Sequence, residues 1–422
     1  MGGIPRYMTT TQHTPVLTCR MIVLCLITSP ICIWAQTADP VHWVGTWTAA
    51  PIGIDNSKGP LGTAAYTIRE TVHTSLGGSA LRVVFTNEMG TTPLVIARSQ
   101  VALSAGGASI AADSAKALTF DGKPSVTIPA GAKAFCDSVS TNLPAESNLV
   151  VSIYVPAQPI PFLTEHAFAN QSNFIVPGDA IAAQALTNAV DTDTWPLLSA
   201  VEVQASPGSA AVVAFGDSIT DGAFSTRSAN LRWPDDLARR LQANRKTSSL
   251  SVLNEGIGGN RILHDITEPF IMPSALRRFD RDVLSQAGIR YLIILEGIND
   301  IGIATRPKDP IDQVSADDLI FGLTQMIERA HAHGIKVFLG TIMPDEGLGL
   351  YYSEAGEAER QAVNQWIRTT KLTDGVIDFD EALRDPSDPK RLLPAYDRDH
   401  IHPNDAGHKA MADAIDIRDF IR

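Results

Sequence analysis

The chain has 422 residues, 44% of them hydrophobic and 19% charged, a composition that excludes a disordered or fibrous protein and leaves room for more than one domain. With 34 basic against 46 acidic residues its net charge is −12, which argues against nucleic acid or anionic lipid as partners and favours neutral molecules.

The first segment, 1–35, holds Arg6 and Arg20, no acidic residue, and an apolar run from Met21 to Trp34 that stops at Ala35. This pattern predicts a secretory signal peptide cleaved near Ala35 or Ala38, and hence a secreted or periplasmic protein. The run is short and broken by Pro30, so a stable membrane anchor is not expected. Three of the four cysteines, Cys19, Cys25 and Cys32, fall in this leader, leaving Cys136 without an intramolecular partner. Its KAFCDSV surroundings contain no histidine and predict a core thiol.

Residues 39–205 read as a β-sandwich or jelly-roll domain. Runs at 43–48, 65–75, 80–88, 94–103, 125–129, 148–156 and 167–176 are rich in β-branched and aromatic residues, separated by turns such as Gly77–Gly78, Gly106–Gly107 and Asp121–Gly122. No helical periodicity interrupts them.

After Pro207–Gly208 the period changes, and 209–422 predicts an α/β domain with a doubly wound, mainly parallel five-stranded sheet in three layers. The expected strands are 211–216, 251–257, 291–297, 335–342 and 375–379. The helices between them open at Pro234, Pro273, Ser315, Glu354 and Asn404 or Asp405.

The stretch AVVAFGDSITDG at 211–222 organises this half. An all-apolar run reads as a buried parallel strand, so Gly216, Asp217 and Ser218 emerge at its carboxyl end, where open α/β sheets place their chemistry. A serine on such a turn is either a nucleophile or a helix cap. Three further polar clusters follow other predicted strands: NEGIGGN at 254–260, EGIND at 296–300, and DRDHIHPND at 397–405. Asp399 and His402, three residues apart, share one side of the backbone. The carboxylate can therefore hold Nδ1–H while Nε2 faces the serine; read alone, the same pair is a capping aspartate and a surface histidine. Asn299 is likewise an amide donor or a turn residue.

Taken together, GDSIT at 216–220, the glycine cluster ending at Gly259, GIND at 297–300 and DHIH at 399–402 resemble the four ordered signature blocks of the SGNH (GDSL) hydrolase family. The resemblance covers about half the chain. It implies Ser218 as nucleophile, His402 as general base and then acid, and Asp399 as its orienter. It also implies an oxyanion hole of Ser218 N–H, Gly259 N–H and Asn299 Nδ2, with Asp217, Asn260 and Asp300 in support. No cofactor or metal is implied.

Rival chemistries fit poorly. The nucleophile elbow of α/β-hydrolases needs glycine two residues after the serine, where this chain has Thr220. HAHG at 331–334 sits at a helix end, where histidine suits the dipole, and the chain has no HExxH or CxxC zinc motif.

A sandwich fused in front of such a domain resembles secreted bacterial carbohydrate esterases, which implies deacetylation of a polysaccharide. A short-chain carboxylesterase or lipase is the nearest alternative. A non-catalytic glycan-binding protein is the alternative of another class. The loop 344–352, with Tyr351 and Tyr352, reads as a pocket wall or as packing, and Asn170, Gln171 and Asn173 as polar strand residues that could face the same cleft.

Overall fold

The computed structural model describes residues 2–3, 42–57, 59, 61, 63–349 and 351–421. The predicted signal peptide, apart from Gly2 and Gly3, and with it Cys19, Cys25 and Cys32, lies outside the described residues. Val41–Arg422 forms one compact unit.

Its first part is antiparallel β structure. One sheet orders Trp43–Thr48, Leu198–Gln204, Gly78–Thr86 and Lys133–Phe135, with Val139–Leu143 also on Gly78–Thr86. A second runs Val190–Thr192, Asn173–Pro177, Tyr66–Thr74, Ser147–Val155, Arg98–Gly106 and Ser109–Ile110. Ile68, Val83, Phe85, Val151, Ile153, Val201 and Val203 are closed to solvent, so alternation along the strands has become one hydrophobic core. Cys136 is buried in it as a free thiol whose sulfur accepts from Val83 N–H, and burial pushes the thiol up to about 11.

Two expected strands divide. The 94–103 run separates into Leu94–Ile96, paired with Val126–Ile128, and Arg98–Gly106, paired with Ser147–Val155. The chain changes sheet at Ala97, which no alternation pattern records. The 167–176 run is not extended throughout: Phe162–Ala167 ends at its first residue, Phe168 and Asn170 take φ values of 59° and 48°, and the next strand begins at Asn173. Leu198–Gln204 is a further strand, inserted between Trp43–Thr48 and Gly78–Thr86. Its Glu202 pairs with Arg82, and that charge masks the apolar pattern.

The second part is the expected doubly wound sheet. Among the described residues it has five strands, all parallel, in the order Leu250–Gly256, Ala210–Gly216, Ile289–Leu295, Lys336–Gly340, Gly375–Ile377. Every residue of Ala210–Gly216 is buried, as a central strand covered on both faces must be. One helix group joins Trp233–Gln242 and Asp405–Ala414, and the other joins Ala316–Ala332 and Glu354–Thr369. Side chains start them: Ser315 and Asp318 form a reciprocal capping box, and Asn404 rather than Asp405 caps the last helix through Gly407 N–H. The helix expected after Pro273 runs Ala275–Phe279 and continues as a π-turn to Leu284.

The two parts interlock. Val252 N–H donates to Ser75 Oγ, Gly45 N–H to Ala287 O, and Phe270–Ile271 pairs with Ile52–Asp55 to extend a sandwich-side sheet. What matters for function is register. Gly216 lies level with Gly256 on one side and Leu295 on the other, so the polar segments after all three strands leave the sheet at one height.

Candidate active site

Ser218 opens a four-residue helix, Ser218–Asp221, immediately after the buried central strand. Asp217 caps it by accepting Ile219 N–H at 2.9 Å, and burial pushes the Asp217 carboxyl up to about 7. The turn is too tight for any side chain at Gly216, where a Cβ would stand 2.2 Å from Thr220 Oγ1 and 2.5 Å from Leu295 O. Ser218 Oγ lies 2.8 Å from His402 Nε2.

His402 is held on its other side. Its Nδ1 is 2.9 and 3.1 Å from the two Asp399 oxygens, and its backbone N–H donates to Asp399 Oδ1 at 2.9 Å. Burial alone would raise the Asp399 carboxyl, but the bonds from the His402 backbone and ring hold it below the usual carboxylate range. An ionised carboxylate only accepts, so Nδ1 carries the proton and a neutral ring offers Nε2 as acceptor for the serine hydroxyl. Residues 184 positions apart thus form one hydrogen-bonded line.

The three groups expected to donate to an oxyanion belong to residues that line one cleft with the serine hydroxyl. Ser218 N–H belongs to the helix's unpaired first turn. Gly258 and Gly259 differ: Gly258 N–H donates to Asp221 Oδ2 at 3.2 Å, whereas Gly259 N–H has no acceptor among the described residues. Gly259 has φ of 79° and open space around its missing Cβ, so the backbone conformation alone calls for glycine. Asn299 sits in the first turn of Ile298–Ala304. Its Oδ1 accepts from Tyr351 Oη at 3.2 Å and its Nδ2 donates to Asn260 O at 2.9 Å, which fixes the amide and leaves Nδ2 a second hydrogen. Ser218, Gly259, Asn299, Asp399 and His402 all border one cleft of about 500 Å³.

The supporting residues lie one layer below. Asn260 joins Pro273 O to Arg278 Nε, and Asp300 accepts Ile262 and Leu263 N–H, burial pushing its carboxyl up to about 6. Of the other residues expected near the cleft, Asn170 and Tyr351 line it. Gln171 and Asn173 do not. Gln171 borders a separate cavity of about 30 Å³, and Asn173 is closed to solvent, bonding Thr71 N–H and Thr194 O. Tyr352 points its hydroxyl to Glu354 instead.

Two features carried no readable motif. Arg278, wholly buried, donates to Gly216 O, Glu255 O and Asn260 Oδ1, pairs with Asp282 and Glu296, and stacks 3.9 Å over Phe215. In the run RRFDRD it reads as part of a solvated helix face. His166, from the sandwich, reaches Asp221 at 3.1 Å, and nothing local in FLTEHA marks it. Burial pushes the Glu255 carboxyl up to about 8 and the Glu296 carboxyl well above the usual range, with the Arg278 guanidinium beside them acting the other way.

Residues 214–410 match the GDSL-like Lipase/Acylhydrolase family. No curated protein matches the chain by sequence. Solved structures similar to it include a putative lipolytic protein of the G-D-S-L family from Desulfitobacterium hafniense, 21% identical over 50% of this chain and 99% of that one, with a TM-score of 0.37. Another is a catalytic mutant of an acetylxylan esterase from Geobacillus stearothermophilus, 23% identical over 51% and 94%, TM-score 0.38. A third is a carbohydrate acetylesterase family member from Sinorhizobium meliloti, 17% identical over 49% and 94%, TM-score 0.38. The segment that this family model matches, 214–410, carries the parallel sheet and the serine, histidine and aspartate described above.

Proposed function

We propose that the protein is a secreted serine esterase that hydrolyses carboxylic esters through an acyl-enzyme on Ser218, with acetylated carbohydrate as its substrate. One observation carries the catalytic reading: Ser218 Oγ at 2.8 Å from an imidazole nitrogen whose opposite nitrogen is held by Asp399.

In the first half-reaction Oγ bonds to the ester carbonyl carbon while its proton passes to His402 Nε2. The carbonyl oxygen becomes an oxyanion facing Ser218 N–H, Gly259 N–H and Asn299 Nδ2. His402 then gives its proton to the leaving alcohol oxygen as the C–O bond breaks, leaving acyl-Ser218. Water repeats the sequence: His402 takes a proton, hydroxide adds to the acyl carbon, and the proton returns to Oγ as the acid departs.

Export rests on the leader pattern of 1–35. The carbohydrate assignment rests on the cleft: Asp193, Asp221 and Asp399 line it, with no Arg or Lys among the described lining residues, which favours a neutral substrate. The apolar wall of Leu348 and Ile401 supports the second reading, a short-chain carboxylesterase.

Hydrolysis of p-nitrophenyl acetate, with and without a serine-directed inhibitor, tests the catalytic claim. Inhibitor-sensitive turnover that disappears in Ser218→Ala is expected. Full activity in that variant removes the reading, and absence of turnover in the wild type favours a glycan-binding protein. Acetate release from acetylated glycans, beside p-nitrophenyl esters of increasing acyl length, separates the two substrate classes.

A further inference from the structure

Two phenyl rings border the cleft while staying largely exposed, Phe224 with the Arg398 guanidinium 5.7 Å from its ring centroid. Phe168, from the sandwich, is 62% exposed, and Phe224, just after the serine helix, is 51% exposed, yet both line the cleft. Both occupy the left-handed backbone region, at φ of 59° and 63°. A bulky side chain there is a genuine outlier, and strain of this kind persists only where surrounding contacts impose it.

Those contacts are present, and they tie the two loops together. Asn170 Nδ2 donates to Ser225 O and Oγ, Ser228 N–H donates to Asn170 O, and Ala169 N–H donates to Asp193 O. Arg232 also donates to Ala169 O while its guanidinium lies over Trp195. The rings are thus mounted on a rim laced from both parts of the chain, and they gain little burial in return.

We propose that Phe168 and Phe224 form a rim that grips a neutral sugar ring carrying the ester, so that the glycan is the leaving alcohol. The proposal rests on the ester-hydrolysis reading above. Phe224 has its ring centroid 5.2 Å from that of the His402 imidazole, the ring that gives its proton to the departing oxygen. Phe168 approaches Gly258, whose Cβ, were there one, would lie 3.7 Å from the ring.

A pyranose or furanose matches this rim because it has apolar C–H faces for the rings and hydroxyls at its edge for Asn170 and Asp193, which border the same cleft. An extended acyl chain would strip water from those polar groups without replacing its hydrogen bonds.

The experiment compares kcat/KM for a neutral acetylated xylo-oligosaccharide with that for ethyl acetate, whose leaving group has no ring. The ratio should fall at least tenfold in Phe224→Ala and in Phe168→Ala, mainly through KM, and return in Phe224→Tyr and Phe168→Tyr. A ratio unchanged in both alanine variants overturns the proposal, and so does a larger loss on p-nitrophenyl octanoate than on the glycan. Phe168→Gly provides a folding readout: relief of the positive φ should keep or raise Tm, while a clear fall makes the ring structural and sinks the idea. Calorimetric titration of Ser218→Ala with the same oligosaccharide reads binding without turnover. Binding that is lost on adding Phe224→Ala supports the rim even if the wild type hydrolyses neither ester, a result that would defeat the catalytic reading alone.

Discussion

His166 Nε2 and Asp221 Oδ1 face each other at 3.1 Å, with both side chains almost closed to solvent. The other ring nitrogen faces Ala50 O at 2.8 Å, so both nitrogens have acceptors and the ring is satisfied as an imidazolium. Asp221 uses its second oxygen on Gly258 N–H, the residue before Gly259. A sandwich side chain therefore braces the loop that carries Gly259, the proposed oxyanion donor.

This pair predicts a pH-dependent stability. Burial alone would lower the His166 pKa, but Asp221 opposite it, with the bond from Ala50, raises it above 6.5 overall, while Arg232 acts in the opposing direction. A raised histidine stabilises fully below its unfolded pKa of about 6.5 and loses that contribution as pH rises through the higher folded value. Urea unfolding across that interval should show the wild type losing stability relative to His166→Gln as pH increases. Parallel curves for the two proteins would mean that the ring is neutral in the folded state.

Asn299→Ala should lower kcat by roughly a hundred- to a thousand-fold, the loss associated with one oxyanion donor. KM should change little, because the second Nδ2 hydrogen meets charge that develops only in the transition state. Steady-state kinetics with p-nitrophenyl acetate, together with an unchanged circular dichroism spectrum, checks this. A variant that loses KM alone places the amide in ground-state binding.

Asp399→Asn keeps the shape of the site but can present an amide N–H to Nδ1, favouring the wrong ring tautomer. By analogy with the same change in serine proteases, turnover should drop by about ten-thousand-fold. Asp399 is partly exposed, so Tm should move little; a large fall in Tm with modest loss of turnover would make Asp399 a structural cap.

Arg278→Met should destabilise the protein by about 3 kcal/mol or more, since it removes one partner from a buried ionic network while the carboxyl groups stay behind. Gly216 O, Glu255 O and Asn260 Oδ1 also lose their donor. Equilibrium urea unfolding measures this, and a near-neutral result would mean that the carboxyl groups close the network by themselves.

Much of the site was legible because the chemistry sits in short blocks at strand ends. An all-apolar run of β-branched and small residues ending in glycine reads as a covered strand, so the sequence by itself pointed to Gly216, Asp217 and Ser218 leaving a parallel sheet at its carboxyl edge. The Asp399–His402 spacing similarly determined that carboxylate and imidazole share one turn. Local pattern reaches no further than such segments. Whether the imidazole meets a hydroxyl 184 positions away, which of Gly258 and Gly259 keeps a free N–H, and how Arg278 and His166 come to lie beneath and beside the serine were decided only by tertiary structure. The physical reason is that a charged residue in a helix or strand looks solvated until packing removes its water. Phe168 and Phe224 make the same point, because nothing in a run of neighbouring residues records a ring held outward on a left-handed backbone by bonds from another part of the fold.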